Sequence, residues 1–267
     1  MLIAIDAGHY LGTPGKRCLK SIDPNETREW VLNARIADHL QTRLSLYDCI
    51  TMRVDDTTGE KDVSLGERVT QANKADADVY LSIHHNAGIN GGPGGGIVVY
   101  TYTDPSQAST ALQRAVYEHT VRRTGLRGNR ANPMPTANLY VLRTTRMPAV
   151  LCELGFMDST TDTPIILTEE FASQAADGII DALVEVYGIQ ERGDPMTEEQ
   201  VRKLVREEYA KIEAERAALP PSAWARPYIQ QAIDGGAMTE SADGSIDRPR
   251  AYATREELAV VASSLIN

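Results

Sequence analysis

The strongest constraint on the fold of this chain is the alternation of short apolar runs with amphipathic segments over residues 1–190. Runs of β-branched residues are typical of buried strands, and apolar residues at mostly four-residue spacing are typical of helices. Strands that alternate with helices predict an α/β domain with a mixed, mainly parallel sheet flanked by helices. The predicted strands are 2–6, 50–54, 79–86, 97–102, 139–145 and 149–156, and the predicted helices are 28–46, 64–75, 105–124 and 168–187.

Composition and charge exclude several classes of protein. The chain has 267 residues, of which 42% are hydrophobic, and this fraction argues against wholesale disorder. No run of about 18 apolar residues occurs, so no membrane span is predicted. The formal net charge of −10 argues against a nucleic-acid-binding protein, which needs a basic face. Three scattered cysteines without a CxxC pair argue against a disulfide framework or a cysteine zinc site.

The start and the end of the chain suggest where and how it works. The opening residues, MLIAIDAGHY, contain neither a basic region nor a long apolar region, so we predict cytoplasmic synthesis without a secretory signal. Residues 196–219 predict a charged helix with a narrow apolar stripe, ended by Pro220-Pro221. This helix is either a solvated linker or a self-association helix that makes the protein a homo-oligomer. Residues 222–267 predict a small helix–loop–helix module.

Side chains that can carry chemistry stand at the ends of the predicted strands. His9 follows the first strand, and His84 and His85 lie near the end of the third. In a parallel sheet, functional groups collect at the carboxyl ends of the strands. Two histidines and a carboxylate suit a catalytic zinc ion, which uses three protein ligands and one open position. Either Glu26 or Glu29 supplies the carboxylate, because spacing alone does not separate them.

Glu153 is the second carboxylate of interest. It stands within the apolar run 149–156, where a carboxylate is costly unless it is paired or used. Burial would raise its pKa, which is useful in a general base or acid. The alternative is a structural glutamate paired with a buried arginine.

Four motifs stand in order along the first domain. They are IAIDAGH (3–9), EWVLN (29–33), RVTQANKADADVYLSIHHNA (68–87) and VLCELGFMD (150–158). Together these motifs resemble the zinc-dependent N-acetylmuramoyl-L-alanine amidases of the amidase-3 type, and the resemblance extends over residues 1–188. The first motif of that family usually reads D-x-G-H-G-G. Here Tyr10 and Leu11 replace the two glycines, which alters the loop but not the ligand.

The resemblance implies a zinc amidase fold and a set of site residues. It places zinc ligands at His9, at Glu29, which precedes an asparagine by four residues as in the family, and at His84 of the S-I-H-x-N-A motif. His85 is then the variable position of that motif. The E-x-G-F motif maps the catalytic glutamate of the family onto Glu153.

The implied enzyme cuts peptidoglycan at the amide bond between N-acetylmuramic acid and L-alanine of the stem peptide. Zinc would lower the pKa of its bound water toward ~7 and polarise the carbonyl. Glu153 would take the proton of the water and pass it to the leaving amine, and Asn86 would help to place the substrate or a loop. The alternatives are a catalytically silent wall-binding protein and another zinc peptidase or deacetylase.

Two further resemblances concern the biology. A chain without a signal and with an appended small module resembles a phage or prophage endolysin, which reaches the wall after a holin opens the membrane. Residues 222–267 resemble one S-layer homology repeat. Such repeats often bind secondary cell-wall polymers, and the alternative is a small capping or oligomerisation module without affinity for glycans.

One stretch of the first domain is strongly basic. Residues 105–146 carry seven arginines against one glutamate and no aspartate or lysine. This stretch is either a solvated helix face and loop, or a basic rim that meets the carboxylates of the stem peptide. On the second interpretation, Arg127 and Arg130 contribute to substrate binding.

Overall fold

The structure is a computed structural model that describes residues 1–192 together with 202, 203, 205–207, 210, 211, 230 and 234. The chain divides into two units, Met1–Gly193 and Asp194–Asn267. The elements of the first unit are β1 (Leu2–Ala7), α1 (Glu29–Leu44), β2 (Ile50–Arg53), α2 (Leu65–Lys74), β3 (Val79–Asn86), β4 (Ile97–Tyr100), α3 (Gln107–Thr124), α4 (Tyr140–Thr144), β5 (Ala149–Phe156), α5 (Thr163–Ile166) and α6 (Glu169–Tyr187).

The five strands form one sheet in the order β2-β1-β3-β5-β4. All neighbouring strands pair in parallel except β4, which runs antiparallel to β5. Side chains alternate between the two faces of each strand, so Ile3 and Ile5 pack with α1, α3 and α6, while Ala4 packs with α2 and α4. The predicted α/β architecture, with a mainly parallel sheet between helices, is confirmed.

The predicted strand over 139–145 is wrong, because this segment contains the short helix α4. Both edges of β5 are already occupied, by β3 on one side and β4 on the other. Val141 and Leu142 are adjacent and both buried, which a strand with one covered face does not permit. The Thr144 hydroxyl also donates to the carbonyl of Tyr140, 2.7 Å away, as in a helical turn.

The second unit is described only in part. Residues 202, 203, 205–207, 210 and 211 are helical, within the predicted helix 196–219. Lys203 and Glu207 form an ion pair at 3.8 Å along it. Of the predicted module 222–267 the structure describes only residues 230 and 234, which are helical, and the side chain of Gln230 donates to Asp234 at 2.9 Å. The rest of this module, and the predicted self-association of the chain, lie outside what the described residues test. Within the described part of the chain, none of the helices combines the length and the apolar character needed to cross a bilayer.

Candidate metal and active site

Three predicted ligands meet at the carboxyl end of the sheet. His9 follows β1, Glu29 is the first residue of α1, and His84 lies near the end of β3. Glu29 Oε1 lies 3.3 Å from His9 Nε2 and 3.1 Å from His84 Nδ1. The possible ligand atoms of all three residues lie within 4.8 Å of one another. Two imidazole nitrogens and one carboxylate oxygen are donors that zinc accepts, so this cluster could hold the ion.

The electrostatics of the cluster also suit a cation. Burial raises the pKa of Glu29, but hydrogen bonds from His84 and His9 outweigh it and hold the pKa well below its usual range. Burial lowers the pKa of His84, but the hydrogen bond to Glu29 and the negative charge of Glu29 together raise it above its usual value. Glu29 Oε2 is buried and accepts no hydrogen bond, although Lys16 Nζ lies 3.4 Å away. A buried carboxylate oxygen that pairs with an ammonium group but accepts no hydrogen bond is in an environment that suits a bound cation.

The turn between β1 and the rest of the site is unusually tight. His9 has a φ of 68°, in the left-handed region that few non-glycine residues adopt. Gly8 packs directly against the second histidine, because a Cβ atom at Gly8 would lie 2.0 Å from His84 Cε1. The absence of a side chain at position 8 is therefore a condition for bringing His9 and His84 together.

The structure separates the two glutamates that spacing left open. Glu29 is fully buried in the cluster, whereas Glu26 turns toward Arg17 at 3.0 Å and Lys20 at 3.6 Å. Glu26 is not part of the group of residues that could hold a metal ion among the described residues.

Glu153 lies beside this cluster on the neighbouring strand. It is paired in register with His84 across β3 and β5. Its Oε2 is buried without a hydrogen-bond partner. Burial raises the pKa of Glu153 to about 7. The interaction with His84 lowers this pKa, and the negative charge of Glu29 raises it. Within residues 1–192 no arginine forms an ion pair with Glu153, so the structural Glu–Arg pair considered above is not observed.

His85 points to the opposite face of β3 from His84. It is buried, and its Nδ1 lies 2.8 Å from Asn33 Oδ1. Burial lowers the pKa of His85 to about 3, so the ring is neutral. His85 is therefore a structural histidine on the face of the sheet that α1 and α6 cover.

Asn86 and Arg130 lie near Glu153, around Tyr100 of β4. Burial raises the pKa of Tyr100 and so does the charge of Glu153, while Arg130 and the Asn86 side chain act in the opposite direction. The Arg130 guanidinium carbon lies 4.6 Å from the centroid of the Phe156 ring. Asn86, Tyr100 and Arg130 therefore form a polar rim on one side of Glu153.

The basic stretch 105–146 divides into two parts. On α3, Arg114 pairs with Glu185 at 3.2 Å and Arg123 with Asp181 at 2.7 Å, so α6 neutralises these charges. Arg127 and Arg130, in the loop after α3, are exposed and form no salt bridge with any residue that the structure describes. The two arginines named in the prediction, Arg127 and Arg130, are therefore exposed and not neutralised by α6.

Sequence reasoning missed Lys16 and Arg68. Lys16 stands in a loop without periodicity, so no local pattern marks its approach to Glu29. Arg68 is almost completely buried and donates to the carbonyl oxygens of Ala7 and His9. Two signals in the sequence concern Arg68: it is the first residue of the motif 68–87, and it lies four residues before the buried Ala72 on α2. Neither signal assigns it a role at the site.

The fold and the site define an α/β protein in which a cluster able to hold a metal ion adjoins a buried carboxylate. The chain belongs to the N-acetylmuramoyl-L-alanine amidase family, whose amidase-3 sequence profile matches residues 3–185. It is therefore an enzyme of the peptidoglycan amidase class.

Individual relatives agree with this assignment. The sporulation-specific N-acetylmuramoyl-L-alanine amidase of Bacillus subtilis is 31% identical over 191 residues, 70% of this chain and 69% of the relative. An endolysin of Bacillus phage SPP1 is 31% identical over 140 residues, 51% of this chain and 50% of the endolysin. The crystal structure of an N-acetylmuramoyl-L-alanine amidase from Clostridium difficile 630 is similar with a TM-score of 0.63 and 28% identity, over 70% of this chain and 96% of that one.

Proposed function

We propose that this chain is a zinc-dependent hydrolase that cleaves the amide bond between N-acetylmuramic acid and L-alanine of the stem peptide. The observation that carries the proposal is the meeting of His9, Glu29 and His84 beside Glu153 at one edge of the sheet. Membership of the amidase family supports the choice of bond. The intact set of four residues argues against a catalytically silent wall-binding protein.

His9, Glu29 and His84 would hold one zinc ion. When bound, zinc supplies a charge that polarises the scissile carbonyl and acidifies the attacking water. Glu29 is already ionised between the two imidazoles, because their hydrogen bonds hold its pKa low. The protein therefore presents a deprotonated oxygen ligand without a further cost of proton loss.

Glu153 is the proposed general base and then general acid. Its Oε2 makes no hydrogen bond with any residue that the structure describes, so this atom is free to accept a proton from the attacking water. The same carboxyl group then donates that proton to the leaving L-alanine amine. A pKa raised to about 7 by burial brings the group close to the pH at which both transfers are efficient.

Substrate placement would fall to the polar rim. Arg130 and Arg127 carry positive charge without acidic partners among the described residues, which suits the carboxylates of a stem peptide. Asn86 lies at the end of β3, where an amide group could orient the peptide backbone. Similarity to a phage endolysin supports a role in wall lysis, and the C-terminal module would bind a wall polymer or another copy of the chain.

The decisive experiment is digestion of purified peptidoglycan of known composition, followed by mass spectrometry of the products. We expect free stem peptides with a new N-terminal L-alanine and intact glycan strands. A chelator should stop the reaction, and added zinc should restore it. Release of acetate, or cleavage within the stem peptide, would instead identify a deacetylase or a peptidase. Wall binding without any released product would support the silent binding protein.

A further inference from the structure

The turn that carries His9 is held by side chains from two different helices. Arg68 of α2 donates from Nη1 to the carbonyl of Ala7 at 2.7 Å and from Nη2 to the carbonyl of His9 at 2.8 Å. Asn33 of α1 donates to the carbonyl between them, that of Gly8, at 3.0 Å. Three consecutive carbonyl groups, immediately around one metal-ligand candidate, are therefore each bound by a buried side chain.

The side chain of Arg68 is itself held in place by further buried contacts. Arg68 Nε donates to the carbonyl of Val63 at 2.8 Å, and Nη1 also forms an ion pair with buried Asp6. Asp6 in turn accepts from the Tyr80 hydroxyl at 2.9 Å and from the Ser82 hydroxyl at 2.8 Å. Because every element of this network has a defined partner, the planar guanidinium is left with one orientation.

The asparagine is fixed in the same way. Its amide nitrogen must face the carbonyl of Gly8, so its oxygen faces His85 Nδ1, 2.8 Å away. His85 Nδ1 therefore carries the hydrogen and donates to Asn33. This gives the buried His85 a function, which is to orient Asn33 toward the turn.

These contacts oppose the natural tendency of the turn. His9 occupies the left-handed region with φ 68°, which a non-glycine residue keeps only when its surroundings enforce it. Burial of both donors prevents water from replacing them. Without the contacts, His9 would relax toward ordinary backbone angles, and its ring would leave the position 3.3 Å from Glu29.

We propose that Arg68 and Asn33 are positioning residues that hold the His9 turn in its metal-binding conformation before the metal ion arrives. The inference rests on the proposed function, since it takes His9, Glu29 and His84 as the zinc ligands. Neither residue belongs to the group of possible metal ligands, and both contact the turn through its backbone carbonyls. Their contribution is to pre-organise one ligand, as outer-shell hydrogen bonds do for metal sites in general.

The test is the affinity of the full-length protein for Zn²⁺, measured by competition with a chromogenic chelator. Arg68→Lys keeps a positive charge beside Asp6 but cannot reach both carbonyls, and Asn33→Leu removes the amide at nearly constant volume. We expect each variant to bind zinc about 10–100-fold more weakly, which is the loss typical of changes to outer-shell hydrogen bonds. The visible absorption bands of the cobalt-substituted variants should also shift, because the ligand geometry changes.

Gln113→Leu is the matched control. Gln113 is buried and also donates to two backbone carbonyls, those of Val99 at 2.7 Å and Pro135 at 2.9 Å, but it lies on α3. The Gln113→Leu substitution should lower the melting temperature of the protein without changing its affinity for zinc. If Arg68→Lys does not fold, Asn33→Leu tests the same turn from α1.

Two results would overturn the inference. One is wild-type zinc affinity in the folded Arg68 and Asn33 variants, and the other is an equal loss of affinity in Gln113→Leu, which would indicate general destabilisation. A wild-type protein that binds no zinc, or binds it undiminished when His84 is replaced by alanine, would instead contradict the proposed function itself.

Discussion

Substitution of Gly8 by alanine should damage the site through a single steric contact. The added Cβ would lie 2.0 Å from Cε1, 2.3 Å from Nε2 and 2.5 Å from Nδ1 of His84. Carbon atoms in contact are normally about 3.5 Å apart, so the ring must withdraw by roughly 1.5 Å. The φ of Gly8 is not among the positive values of the chain, so the backbone itself accepts alanine. The whole effect should therefore come from displacement of His84.

A displacement of this size is large for a catalytic site. Misplacement by about 1 Å can cost about 10²-fold in rate, so we expect Gly8→Ala to lose at least that much amidase activity. Zinc affinity should fall as well, because Nδ1 of His84 would no longer lie 3.1 Å from Glu29 Oε1. The measurements are hydrolysis of purified cell walls, zinc competition with a chelator, and thermal unfolding of both proteins.

Gly66→Ala is the matched control for this substitution. Gly66 lies in α2, and a Cβ there would meet only the Tyr140 hydroxyl at an ordinary 3.6 Å. Alanine in a helix is favoured over glycine by about 1 kcal/mol, so this variant should be as stable as the wild type or more so. Unchanged zinc affinity and activity in folded Gly8→Ala would refute the placement of His84 against the His9 turn.

Three further predictions follow from the proposed chemistry. Glu153→Gln should retain zinc but lose about 10²–10⁴-fold in rate, because it cannot accept a proton; release of stem peptides at the wild-type rate by the zinc-loaded variant would show that Glu153 is not the base. Charge reversal of Arg127 and Arg130 should weaken wall hydrolysis most at low salt, and a defect that does not vary with ionic strength would count against substrate steering. Deletion of 196–267 should reduce wall binding if this region is an adhesion module, and should lower the number of chains per particle, obtained by dividing the light-scattering mass by the chain mass, if it is a self-association module; unchanged wall binding together with an unchanged number of chains per particle would exclude both roles.

The sequence predicted some parts of the site well because they depend on local chemistry. His9 and His84 follow or end short β-branched runs, and the direction of parallel strands then places them at the same edge of the sheet. Glu153 was marked by its charge within an apolar run, which is a local anomaly. The four ordered motifs added the identity of the amidase family, which the profile match over residues 3–185 confirms.

Other parts depend on contacts between distant segments, and the local pattern was insufficient for them. Residues 139–145 have the composition of a strand, yet the sheet has no vacant edge beside β5, so they form a helix. Likewise, nothing in the spacing of Glu26 and Glu29 separates them. In the folded chain, one is buried between two histidines and the other pairs with exposed basic residues.

Periodicity and motif order were thus enough for the α/β class, for the edge of the sheet that carries the site and for most of its candidate residues. The family motifs already favoured Glu29 and His84 over Glu26 and His85. The folded chain was needed to show Glu29 buried between the two histidines, to show that His85 contacts Asn33, and to reveal Arg68 behind the His9 turn. The physical reason is how far apart in the sequence the interacting residues lie. Strand and helix patterns depend on neighbours a few residues apart, whereas Arg68 acts on a carbonyl 59 positions earlier in the sequence.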